Sequence, residues 1–276
     1  MTCRLSQVSR SGYYAWCGRE DSVRVKRDCE LAPLVRELHQ ESQGVYGARK
    51  IHRDLIDMGE SCGRHKVARL MREAGLKGCP KRRFRYRPGD KASYPVASNL
   101  IQQDFSASKA NERWSSDITF IWTRQGWLYL AVVMDLYSRR IVGWSMDRRI
   151  SRHLVLDALT MALGHRRPKG PLLLHSDRGV QYTSDDYRSM LLKHGIDCSM
   201  SARGSCYDNA VVESFFASLK RERTKRTTYQ SREEARADVF DYIECFYNRK
   251  RRHGYLDYIS PVAFENRTVG LNETVR

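Results

Sequence analysis

Apolar residues recur at Leu31, Leu34, Val35 and Leu38, spaced three and four apart, which predicts an amphipathic helix. After a break at Gly44-Val45-Tyr46-Gly47, Ile51, Leu55 and Ile56 predict a second helix ending near Gly59. A third carries Val67, Leu70 and Met71, with Ser61 as its expected N-cap, and stops at Gly75. Three short helices, the last with Arg64, Lys66 and Arg69 at polar positions, fit a helix-turn-helix fold. From about Pro88 to Ala110 the periodicity disappears among Pro, Gly and small polar residues, the composition of a linker. The pattern then changes to short, dense apolar runs, about Trp114 to Thr123, Trp127 to Leu136 and Arg140 to Met146, separated by short turns. They predict an antiparallel meander. A helical stripe follows from about Arg152 to Leu163, then a buried strand ending at Asp177, a helix from about Ser184 to His194, a strand at Ile196 to Ser199 and a helix around Glu213. One amphipathic helix from about Ser231 to Tyr247 closes the series, its stripe made by Tyr242, Ile243, Phe246 and Tyr247.

Charge changes this picture from a fold to a binding protein. The 276 residues carry a net charge of +17, which calls for a polyanionic partner. No apolar run approaches the roughly 20 residues that would span a bilayer, so nucleic acid is the expected partner rather than a membrane. The positive charge is also concentrated. From Arg64 to Lys91 eleven Lys and Arg face only Glu73 and Asp90, and Lys81-Arg82-Arg83-Phe84-Arg85-Tyr86-Arg87 alternates cations with aromatics, as suits an arm lying along phosphates. Arg249, Lys250 and Arg251 form a second cluster, readable either as DNA contacts or as a solvated face. The leader, Ser9 to Trp16, is polar with interleaved aromatics and reads equally as a DNA-facing segment or a solvated lead-in. The eight cysteines include no Cys-x-x-Cys pair, and no signal peptide is evident. Reduced thiols in the cytoplasm are the expectation.

The candidate chemistry lies in carboxylates. A buried strand ending on an acid with glycine just beyond, Leu172-Leu173-Leu174-His175-Ser176-Asp177-Arg178-Gly179, lifts a carboxylate out of the core at a sheet edge. Asp117 sits in another strand-like run, Trp114-Ser115-Ser116-Asp117-Ile118-Thr119-Phe120, and Glu213 in the helical Asn209-Ala210-Val211-Val212-Glu213-Ser214-Phe215-Phe216. Each acid alone has a bland reading as a cap, a turn former or a solvated charge. Three oxygen donors together suit a divalent metal. His175 shares a strand face with Asp177 and reads as orienting a water or as hydrogen-bonded in the core. Asp135 reads as a cap or solvated charge.

Thirty-five residues separate Asp177 from Glu213, and the words around the three acids resemble the OrfB-type transposases of two-reading-frame bacterial insertion sequences. The leader Ser9-Arg10-Ser11-Gly12-Tyr13-Tyr14 and Tyr46-Gly47-Ala48-Arg49-Lys50-Ile51 extend the resemblance over nearly the whole chain. It implies an α/β protein in which an RNase H-like, retroviral-integrase-like catalytic core, a mixed five-stranded sheet with helices, is preceded by an all-α helix-turn-helix domain. The first and fourth strands of that core are neighbours. The implied metal is Mg2+, two ions held by Asp117, Asp177 and Glu213, with Mn2+ able to substitute. Lys220, seven residues after Glu213, and Asn209 are the implied DNA contacts near the metals, Asn209 being readable equally as a helix-start residue.

The expected organisation is an N-terminal segment (1–27), a helix-turn-helix domain with its basic arm (28–90), a linker (91–110), the catalytic core (111–225) and a basic helical tail (226–276). The implied activity is strand cleavage and strand transfer at the ends of an insertion sequence in the bacterial cytoplasm, at the nucleoid. Its implied partners are double-stranded DNA, at the element ends and the target, further copies of the chain, and the product of an upstream reading frame. A DNA-binding derivative with an inactive core and a nuclease that cuts without joining are the alternatives; the intact acids weigh against the first and the basic arms against the second.

Overall fold

A computed structural model of the chain describes residues 8–80, 106–201 and 209–273. The chain divides into two compact units, Met1–Pro80 and Lys81–Arg276. Lys81, Arg82, Arg83 and Arg85 of the expected arm, and most of the expected linker, lie outside the described residues.

In the first unit the leader is helical. Helix α1 (Arg10–Cys17) is capped by the Ser9 hydroxyl, which accepts from the Gly12 N–H at 3.0 Å, and it buries none of its residues. Helices α2 (Val23–Glu41), α3 (Ala48–Asp57) and α4 (Arg64–Glu73) turn Leu31 and Val35, Ile51 and Leu55, and Val67, Leu70 and Met71 into one small core. Ser61 does not cap α4. The turn is held from outside by the Arg27–Glu60 ion pair and by His52, which donates to the Cys62 carbonyl at 2.9 Å, so the helix starts later, after Gly63. Two of the expected DNA contacts are engaged internally. Asp28 pairs with Lys66 at 3.1 Å and with Arg69 at 2.6 Å, and Arg69 also pairs with Glu73 at 2.9 Å. Arg64 remains an exposed cation of that helix.

The second unit is built on five strands: β1 (Arg113–Thr123), β2 (Gly126–Asp135), β3 (Ile141–Asp147), β4 (Leu172–Ser176) and β5 (Ile196–Met200). Their order is β3-β2-β1-β4-β5, with antiparallel pairing inside the meander and parallel pairing of β4 with β1 and β5. Helix α5 (Arg152–Arg166) makes the crossover, and its Leu154, Val155, Ala158, Leu159 and Ala162 pack on Trp114, Ala131, Val133 and Val142. Gly143 admits this contact. A Cβ there would lie 2.2 Å from the Ala158 carbonyl oxygen, so any side chain would push the helix off the sheet. Helix α6 (Asp185–Lys193) adds Tyr187 and Leu191 to the same core.

Helix α7 (Ala210–Leu219) runs on into a π-helical turn, Lys220–Thr224. The expected single helix to Tyr247 is instead α8 (Arg232–Phe240) followed by π-helical Asp241–Tyr247. Tyr242, Ile243, Phe246 and Tyr247 are all buried there. Two buried ionic clusters fasten this C-terminal half, which ends in α9 (Pro261–Glu273). Asp135 is fully buried rather than solvated. Its Oδ2 accepts from Arg166 at 2.9 Å and from the Asn111 N–H at 2.8 Å, and Arg166 donates again to Glu265 of α9 at 2.8 Å. Arg251, expected on DNA, is also buried. It donates to both oxygens of Glu222 at 2.7 Å, a carboxylate that Tyr242 shares at 2.8 Å. Arg249 and Lys250 stay exposed.

Candidate catalytic site

The parallel register of β1 and β4 pairs Ser116 with Ser176, so the next residue of each strand is an aspartate and both emerge at one sheet edge. Asp117 accepts the Ile118 N–H at 2.7 Å, and Asp177 the Gly179 N–H at 2.9 Å. Gly179 allows that turn, since a Cβ would sit 3.0 Å from the Asp177 carboxylate oxygen. Glu213 lies exposed in the first turn of α7, where the helix dipole favours its charge.

Asn209 explains how α7 is fixed against the sheet. It is buried, and its amide grips β1: the Ser115 hydroxyl donates to Asn209 Oδ1 at 2.5 Å, and Asn209 Nδ2 donates to the Ser116 carbonyl at 3.2 Å. The Ser116 hydroxyl in turn meets the Tyr182 hydroxyl at 3.0 Å. Asn209 is therefore a clamp, placed one turn before Glu213, and its expected role at a phosphate is replaced by one inside the protein. Asn209→Ala would strand a hydroxyl and a carbonyl, at a cost of about 1–3 kcal/mol. Its melting temperature is expected to fall while the salt dependence of DNA binding stays as in the wild type; a shallower salt slope at unchanged melting temperature would return Asn209 to the DNA.

Asp117 senses both of the other acids. Burial, then the charge of Asp177, then that of Glu213 push the Asp117 carboxyl up to about 7, against the Ile118 N–H and the Lys220 cation, which pull it down. Burial also raises Asp177, opposed by the Gly179 N–H, and burial raises Glu213. Among the described residues no three His, Cys, Asp or Glu side chains, Asp117, Asp177 and Glu213 included, stand together closely enough to hold a metal ion. That spacing accords with the electrostatics, because uncompensated carboxylates repel. Since folding raises the Asp117 pKa, its contribution to stability is complete below about pH 4 and is lost as pH rises through about 7. Without metal, the wild type is expected to lose about 2–4 kcal/mol between pH 4 and 8 relative to Asp117→Asn. Chemical denaturation of both proteins across that range measures it, and parallel profiles would refute it.

Lys220 stands two turns of regular helix beyond Glu213, as expected, and the π-helical turn begins only there. Its ammonium lies 4.6 Å from the centroid of the Phe120 ring. Burial and Lys225 lower its pKa, and Asp117 raises it. His175 is enclosed, with Nδ1 3.0 Å from the Ser199 hydroxyl and Nε2 3.2 Å from that of Ser201, so it joins β4 to β5 and does not face a ligand. Of the Ser115–Asn209–Ser116–Tyr182 network the sequence singled out Asn209, as a DNA contact or a helix-start residue; its bonds join residues 66 to 94 positions apart and leave no local signal.

Models described as integrase core domain match residues 107–206 and 213–269, and an HTH-like domain model matches residues 26–84. The chain is 43% identical to transposase InsF of insertion sequence IS3A from Escherichia coli K12, over 97% of this chain and 93% of that protein. It is 41% identical to an uncharacterized 31 kDa protein of insertion element IS600 from Shigella sonnei, over 96% of this chain and 97% of that one. Among solved structures, a chain of the simian T-cell lymphotropic virus intasome in complex with PP2A regulatory subunit B56 gamma aligns with a TM-score of 0.47 at 13% identity, over 84% of this chain and 74% of that one.

Proposed function

The chain belongs to the IS3-family transposases, and from that premise we propose that Asp117, Asp177 and Glu213 are its catalytic carboxylates and hold two magnesium ions. Support comes from the convergence of β1 and β4 on two aspartates, of which Asp117 feels the charge of both Asp177 and Glu213. The donor set is oxygen only, as a hard divalent ion prefers, and an ion would relieve the repulsion that raises Asp117. Bound there, magnesium would activate the attacking oxygen and stabilise the leaving one.

In the cleavage step a water oxygen bonds to phosphorus and the 3′ oxygen departs, taking a proton to become a hydroxyl. In the joining step that hydroxyl attacks a phosphodiester of the target, giving up its proton and displacing another 3′ oxygen. The protein's part is positional. Asn209 and the β1 serines fix the start of α7, the Gly179 N–H orients Asp177, and Lys220 brings a cation beside Asp117. DNA binding follows from the HTH-like domain and the net charge. A polynucleotidyl transferase working on chromosomal DNA acts in the cytoplasm, as assemblies of several copies, and with the product of an upstream reading frame. No described helix is long and apolar enough to cross a membrane.

Labelled duplexes carrying the ends of the element, incubated with the full chain and magnesium, test the proposal. Cut and joined products from the wild type, absent with Glu213→Gln, are the expected result. Silence from the wild type even with the upstream-frame product added would overturn it. A readout independent of activity accompanies this: above pH 7 magnesium should raise the melting temperature of the wild type more than that of Asp117→Asn.

A further inference from the structure

Beyond Ser116, strand β1 is no longer paired with β4, and among the described residues its outer edge carries only a bridge between Thr123 and Tyr229 near the hairpin turn. Strand alternation puts Phe120 and Trp122 on one face, and the β1–β2 register sets Trp127 directly across from Trp122. The three rings form an edge-to-face cluster, with centroids 4.8 Å apart for Trp122 and Trp127 and 5.1 Å for Phe120 and Trp127. They are nonetheless 53%, 56% and 43% exposed, a concentration of open aromatic surface that a soluble core does not require. The hairpin beneath them is firm. Arg232 donates to the Trp127 carbonyl at 3.0 Å, and the Arg124 N–H donates to the Tyr229 carbonyl at 3.0 Å.

The charge around the rings selects the occupant. Lys220 stands over Phe120 and also acts on Asp117, so aromatic face, cation and carboxylate are contiguous across the open edge of β1. Lys225 and Arg124 add exposed positive charge nearby. Phe120 lies three positions after Asp117 along β1, about 10 Å away and on the opposite face by the same alternation, so Lys220 spans the strand edge between them. We propose that Phe120, Trp122 and Trp127, with Lys220, form a stacking platform for unpaired DNA bases adjoining the strand held at Asp117. The inference rests on the transposase reading and adds to it a place for bases that come out of the duplex. A base presents a flat π face beside a phosphate, and exposed rings flanked by ammonium groups complement both. A purely protein partner would use the rings but not the cations.

The test needs neither metal nor strand cleavage, so it can fail independently of the catalytic reading. A single-stranded oligonucleotide of mixed sequence containing one 2-aminopurine is titrated with the full chain, and with Trp122→Ala, Trp127→Ala and Trp122→Tyr, beside a duplex of the same length. Wild type should quench the 2-aminopurine and bind the single strand. Each alanine variant should lose about tenfold in single-strand affinity with less than about twofold change on duplex, and Trp122→Tyr should restore most of the loss. The rings are exposed, so melting temperatures should stay near wild type. Equal losses on both DNAs, no loss on either, or a switch to a smaller oligomer with single-strand affinity intact would overturn the proposal, the last by assigning the patch to a second copy of the chain.

Discussion

Glu213→Gln is expected to lower strand cleavage and joining by about 10³-fold or more while DNA-end affinity stays within about twofold. The size follows from the charge. A carboxylate that helps hold a metal supports several kcal/mol of transition-state stabilisation, and each 1.36 kcal/mol is tenfold in rate. Glutamine keeps the shape of the side chain and removes its charge. The exposed position of Glu213 makes the substitution structurally mild, so loss of rate is not confounded by loss of fold. Measuring single-turnover cleavage and equilibrium binding on the same duplex separates the two effects, and a binding loss as large as the rate loss would remove Glu213 from the chemistry. Asp117→Asn should give the same loss of rate. It should also remove the share of the pH-dependent loss of stability that burial and Asp177 impose through Asp117, since an amide has no proton to release.

What could be read from the chain without its structure was whatever periodicity and local words encode. The strand ending at Asp177 shows as three leucines followed by an acid and a glycine, and the three-helix unit shows as apolar residues three and four apart. Partners distant in sequence left no such trace. Ser115 and Asn209 are 94 residues apart, and Arg166 and Glu265 are 99 apart, so nothing in either neighbourhood announces the bond. The same blindness turned Lys66, Arg69 and Arg251 into expected DNA contacts: composition reports a cation but not the acid it meets. The π turns at Lys220 and Asp241 were equally hidden, because a stripe spaced for an α-helix and one widened to π pitch use the same residue types. The aromatic platform was half visible. Alternation along β1 puts Phe120 and Trp122 on one face, but whether that face is covered depends on what packs over the sheet from elsewhere in the chain, and both rings are left more than half exposed.

Glu222→Gln is expected to destabilise the second unit by about 3–5 kcal/mol, a fall in melting temperature of about 10 °C, without weakening DNA binding below the transition. Both oxygens of Glu222 accept from Arg251, one also from Tyr242 and the other also from Arg221 at 3.0 Å, and Glu222 and Arg251 are both buried. Burial by itself lowers the guanidinium pKa; the hydrogen bonds to Glu222 outweigh it and hold the Arg251 pKa above its ordinary value. Removing the acid leaves a buried cation with no compensating charge, which costs far more than the pair contributes relative to an apolar replacement. Two further variants separate this from a surface role. Arg251→Leu alone should also melt early, because Glu222 then loses its principal partner, whereas Glu222→Leu with Arg251→Leu should recover much of the loss by removing both charges together. If Arg251 instead faced phosphate, Arg251→Leu would keep its melting temperature, bind DNA less tightly and lower the salt slope by about one. Arg249 and Lys250, exposed beside it, are where that second behaviour is expected.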